Sequence, residues 1–134
     1  MNFDFLPYKL NTPLKDLIDK LVFEGSENDI YQYNIVPRYI NDILGNPIDS
    51  ISLYFYRNRL ITAFCQTRLK YCQWEKAVKQ FEAYFKTHSM CWEEDEGYLY
   101  HWQRGNQFLG ILADKENNCI KFYHTIKRYN VFES

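Results

Sequence analysis

Apolar residues at Leu14, Leu17, Ile18 and Leu21 follow the i, i+3, i+4, i+7 spacing that gathers four side chains on one face of a helix. Sixty positions later, Trp74, Ala77, Val78 and Phe81 repeat that spacing. The turn-like pair Arg57-Asn58 is matched in the same way by Asn117-Asn118, and Ile51 with Ile111 and Asn58 with Asn118 are identities across the offset. The pattern predicts one small helix-plus-sheet unit used twice, with halves near residues 11–68 and 71–127 of a single domain spanning 1–134.

The first helix is expected to start at Asn11 or Thr12, where a side-chain oxygen can cap the first turn and Pro13 is tolerated, and to run to Leu21 or Phe23. After the polar break Gly25-Ser26-Glu27-Asn28-Asp29, residues 30–36 alternate as a strand that ends at Pro37. Residues 38–44 then fit a short helix closed by Gly45. Ile51, Leu53 and Phe55 alternate with Ser52, Tyr54 and Tyr56, the pattern of a half-buried strand, and a turn at Arg57-Asn58 joins it to a second strand over 60–67. The turn lacks the Asn-Gly pair of the strongest hairpin signal.

The second helix is read over residues 71–86, with Trp74, Ala77, Val78, Phe81 and Phe85 inward and Glu75, Lys76, Lys79, Gln80 and Glu82 in water. Strands at 98–103, 107–113 and 119–126 follow an acidic loop. Short turns between successive strands require antiparallel pairing. The expected fold is therefore α+β: an antiparallel sheet of about six strands with two long helices on one face, a pseudo-repeat of an α-β-β-β unit, and the other face partly exposed.

At 134 residues, 46% apolar and 25% charged, the chain suits one globular domain and not a disordered segment. Aromatics reach 19%, including 12 Tyr and 10 Phe, which serve half-exposed sheet faces and binding surfaces equally well. A net charge of -1 supplies no attraction to nucleic acid or anionic membrane. The opening residues, Met1 through Pro7, show no basic region, apolar core or small-residue cleavage site, and no run approaches the ~18 apolar residues of a bilayer span. A soluble, cytoplasmic protein is the expectation. Cys65, Cys72, Cys91 and Cys119 follow no paired zinc-ligand spacing, so free thiols are expected.

Candidate chemistry is sparse. His88 and Cys91 lie close together before Glu93, Glu94, Asp95 and Glu96, and an imidazole oriented by a carboxylate can activate a thiolate; no family signature surrounds them, and a helix-end His beside a loop Cys is the ordinary explanation. His101 and His124 sit in strands that can approach one another, as a metal pair would, but alternation groups His124 with Ile120 and Phe122 as a core-edge residue. Gly110 within a strand marks a bend or a close contact. Neither catalytic nor metal-ligating residues, nor a cofactor, are expected. The run Glu93-Glu94-Asp95-Glu96, flanked by Trp92 and Tyr98, is most simply a solvated loop; its functional reading is a projecting surface that docks into a basic cleft of another protein.

The doubled helix-plus-three-strand layout, the short chain and the acidic aromatic loop resemble small bacterial inhibitor and immunity proteins. That resemblance covers nearly the whole chain in layout, and no residue motif carries it. It implies a protein that occupies a partner's active site and performs no catalysis itself. The expected function is a protein-binding module of that kind, with Trp92, Glu93, Glu94, Asp95 and Tyr98 at the partner surface. The alternative is a ligand-binding or enzymatic domain with a pocket between sheet and helices.

Overall fold

The computed structural model describes residues 8–85, 90–94 and 97–126. Among them are eight strands, β1 (Leu21–Glu27), β2 (Ile30–Ile35), β3 (Ile48–Tyr56), β4 (Arg59–Thr67), β5 (Met90–Glu94), β6 (Gly97–Arg104), β7 (Gln107–Asp114) and β8 (Cys119–Ile126), and one α-helix, α1 (Trp74–Phe85). The strands form a single sheet in the order β1-β2-β3-β4-β8-β7-β6-β5, and every neighbouring pair is antiparallel. The fold is thus mostly sheet with one helix, which overturns the expected pair of long helices and raises the strand number from about six to eight. Each half contributes a four-stranded meander, and the two meet where Ala63 on β4 pairs with His124 on β8.

The first helix is replaced by two single 3-10 turns, Leu14–Asp16 and Ile18–Lys20, followed directly by β1. The cause is a competing set of backbone hydrogen bonds. Asn11 N–H donates to the Leu60 carbonyl at 2.7 Å, Leu60 N–H to Thr12 at 3.0 Å, and Leu14 N–H to Asn58 at 2.8 Å. These bonds lay the segment along the end of the β3–β4 hairpin, and a ten-residue helix is too short to resist on its own. The apolar spacing still serves packing, because Leu14, Leu17 and Leu21 lie against the core.

The short helix expected over 38–44 is also absent. Residues Pro37–Tyr39 make one 3-10 turn, and Gly45 serves a tight reversal. Leu44 and Gly45 both have positive φ (49° and 79°), and Ile43 and Asn46 exchange backbone hydrogen bonds of 3.0 and 2.9 Å across them. Arg57 and Asn58, at φ 50° and 64°, form the expected hairpin turn, whose two left-handed residues match the twist of the flanking strands.

The helix α1 lies within the predicted span. The 3-10 turn Tyr71–Gln73 leads into it, with the Gln73 side chain accepting from Lys70 N–H at 2.9 Å and Asn118 Oδ1 accepting from Tyr71 N–H at 3.1 Å. Both satisfy donors that a helix start leaves open. Ala77, Val78, Phe81 and Phe85 are buried and Trp74 half-buried. Phe81 meets Phe122 at a ring distance of 4.8 Å and Trp102 at 5.8 Å, and Phe85 meets Trp102 at 5.4 Å. On the opposite sheet face, the strands of the first half present a polar surface, where Ser52 Oγ donates to Asn34 Oδ1 at 2.9 Å. In the second half that same face is largely buried, as at Leu99, His101, Phe108, Tyr123 and Thr125.

Candidate functional site

The acidic run does not form a loop throughout. Trp92, Glu93 and Glu94 belong to β5, whose register pairs Trp92 with Leu99, Glu93 with Tyr98 and Glu94 with Gly97. Asp95, with Glu96, lies outside the described residues. An edge strand tolerates carboxylates because it borders water, so charge density alone did not forbid β-structure here. β5 is last in the sheet order and is paired on one side only among the described residues.

Gly97 fixes the chain just after the carboxylates. Its φ is 152°, and a Cβ there would overlap the Ala113 carbonyl, so only glycine passes without strain. The next residue, Tyr98, is half-buried and does not stand free. Its ring lies 5.1 Å from Trp74 and 6.2 Å from Tyr100, while Trp74 and Tyr100 stack at 5.5 Å with an 18° interplanar angle. The start of α1 thereby holds Tyr98 in an aromatic trio whose outer part remains accessible. In register beyond Gly97 lies Asp114, with Lys121 Nζ 3.5 Å from its Oδ2. Burial raises the Asp114 carboxyl, but hydrogen bonds from the Asn117 side chain and backbone and the Lys121 ammonium outweigh it and hold it below the usual carboxylate range.

The remaining candidates do not assemble into a reactive centre. His88 lies outside the described residues, and Cys91 is opposite Tyr100 in the β5–β6 register. His101 shares the register row of Gly110 and Tyr123, whereas His124 pairs with Leu109 and Ala63; strand alternation therefore puts the two imidazoles on opposite faces. His124 is buried with its Nε2 2.9 Å from Gln107 Oε1, as a core-edge histidine should be. Among the described residues no group of three or more His, Cys, Asp or Glu is placed to hold a metal ion. Cys65, Cys72 and Cys119 are free thiols, and burial pushes the Cys65 thiol up to about 12, which removes it as a nucleophile at neutral pH. No helix among the described residues is long and apolar enough to cross a membrane.

A second surface was hidden in the sequence by the helix-like spacing. At the other end of the sheet, β1 and the turn before it expose Ile18 (45%), Val22 (54%) and Phe23 (54%), with Tyr31 (43%) beside them on β2. The available signal was the β-favouring triplet Leu21-Val22-Phe23 followed by the two-residue turn Asn28-Asp29, both at positive φ (52° and 66°).

No protein family matches the sequence, and no curated protein does. Among solved structures the chain is similar to one described as a cysteine-rich secretory protein from Staphylococcus aureus subsp. aureus Mu50, at 7% identity and a TM-score of 0.49. The match covers 89% of this chain and 45% of that one, so the chain spans under half of that structure's length. Likeness at this level transfers neither activity nor site.

Proposed function

We propose that this chain is a protein-binding module of the inhibitor or immunity kind, acting in the cytoplasm, which engages the basic cleft of a partner protein through the surface around β5. Trp92, Glu93, Glu94, Asp95 and Tyr98 form its contact set. The observation that carries this reading is the coincidence at one sheet edge of a strand paired on one side only among the described residues, adjacent carboxylates, and the Trp74–Tyr98–Tyr100 trio, of which Trp74 and Tyr98 are half-buried. Carboxylates steer encounter and aromatic anchors slow departure, so the two contributions separate kinetically. Free Cys65, Cys72 and Cys119 fit a reducing compartment.

The test begins with recovery of a partner by pull-down and mass spectrometry, followed by kinetic binding assays on variants verified as folded. Replacing Glu93, Glu94 and Asp95 with Ser should slow association and flatten its salt dependence. Trp92→Ala should instead speed dissociation. Unchanged rates in both variants would remove β5 from the interface.

A further inference from the structure

We infer that the opposite edge of the sheet, β1, is a docking site for an extended partner segment in which apolar residues alternate with Lys or Arg. The site stands apart from β5 and does not depend on the reading given above for that strand. β1 is the first strand in the sheet order and pairs only with β2 among the described residues, so one side of its backbone remains a template for a further strand.

Its side chains set the chemistry of the occupant. Phe23 is more than half exposed, yet its ring touches Tyr33 at 5.3 Å and Tyr31 at 6.3 Å, and Tyr33 reaches the buried Phe55 at 5.6 Å. The exposed patch is thus the outer end of a ring chain rooted in the core, and a strand added at β1 would continue it. Val22, the preceding register position, exposes apolar area on the opposite sheet face.

Charge selects among apolar strands. Residues 21–37 hold Glu24, Glu27 and Asp29 and no Lys or Arg. No ion pair engages these three carboxylates among the described residues. The cations at the two ends of the hairpin are occupied on rings, Lys20 over Tyr39 at 5.7 Å and Arg57 over Tyr56 at 5.2 Å. A basic segment therefore meets two carboxylates on β1 and one in the following turn, none in an ion pair among the described residues and with no Lys or Arg within the hairpin itself.

The same charges oppose a second copy of this chain as occupant. Antiparallel pairing of β1 with its own equivalent would crowd Glu24 and Glu27 from both copies into one seam, and pairing of β1 with β5 would set them against Glu93 and Glu94. Like charges across a strand pair are destabilising. Neither proline nor lysine guards this edge; a bulge between Phe23 and Gly25 and the carboxylates are its protection, and only the carboxylates distinguish one incoming strand from another.

The experiment uses the full chain with a short synthetic peptide of alternating valine and lysine, and a valine–glutamate peptide of the same length as control. Residue-resolved amide exchange reads the location, fluorescence anisotropy the affinity, and sedimentation the association state. Exchange within Leu21–Glu27 is expected to slow with the lysine peptide alone. Affinity should fall by about tenfold or more in Glu24→Lys/Glu27→Lys, and also as salt rises. Slowing confined to β5 would support the β5 interface and overturn this inference, as would equal binding to the charge-reversed variant or no slowing at all. A concentration-dependent dimer that protects β1 without peptide would give the edge to a second copy and likewise overturn it.

Discussion

On β3, buried Ile51, Leu53 and Phe55 alternate with half-exposed Ser52, Tyr54 and Tyr56; on β6, Leu99, Tyr100, His101 and Trp102 are buried in succession. The same contrast holds between β2, where Ile35 alone is buried, and β8, where Phe122, Tyr123, His124 and Thr125 all are. Two four-stranded meanders with mirrored positions in one sheet thus meet different solvent conditions. In the second half most positions of β6, β7 and β8 are buried on both faces, and α1 packs on one of them. The first half keeps a polar face and ends in an exposed strand. Burial is concentrated in the helix-covered half, and the exposed large apolar side chains of β1 and β2 lie at the far end of the sheet.

The largest expected effect is in the helix-covered half. Phe81→Ala removes a ring in contact with Phe85, Trp102 and Phe122 and should cost about 3 to 5 kcal/mol in denaturant unfolding. Phe23→Ala, on the exposed edge, should cost below about 1 kcal/mol. Equal losses at the two positions would erase the contrast.

A pair of glycines sharpens the comparison at smaller scale. Gly110 on β7 lies under the Tyr123 ring, which a Cβ would overlap, so Gly110→Ala should cost about 1 to 3 kcal/mol. Gly25 on β1 has nothing within 4 Å of an added Cβ, and Gly25→Ala should change stability by at most about 0.5 kcal/mol. A neutral Gly110→Ala would mean that the ring moves aside freely and that this face is looser than its burial implies.

The elements legible in the sequence were those in which a single period acts alone. Alternation through Ile51, Leu53 and Phe55 gave β3, and the stripe Ala77, Val78, Phe81 gave α1, because each apolar set meets the core on one side and water on the other. Segment 14–21 misled because its helical spacing is satisfied equally by two 3-10 turns packed on the core, while the Leu14 N–H is claimed by Asn58 and the preceding Asn11 N–H by Leu60. β1 and β5 were illegible for opposite reasons. In β1 both faces are largely wet, so no alternation marks it; in β5 the carboxylates hide a strand behind the composition of a loop. Of the proposed contact set, Trp92, Glu93 and Glu94 fall in a strand where the sequence suggested a loop, and nothing in the sequence signalled that Tyr98 is tied to Trp74.

Native-state amide exchange along the whole sheet tests the asymmetry most directly, because it reads each strand's local opening in one experiment. Amides of β7 and β8, and those of β4 that pair with β8, should exchange only by global unfolding, while those of β1 exchange through local opening at far lower free energy. Protection of β1 equal to that of β8 would contradict the account.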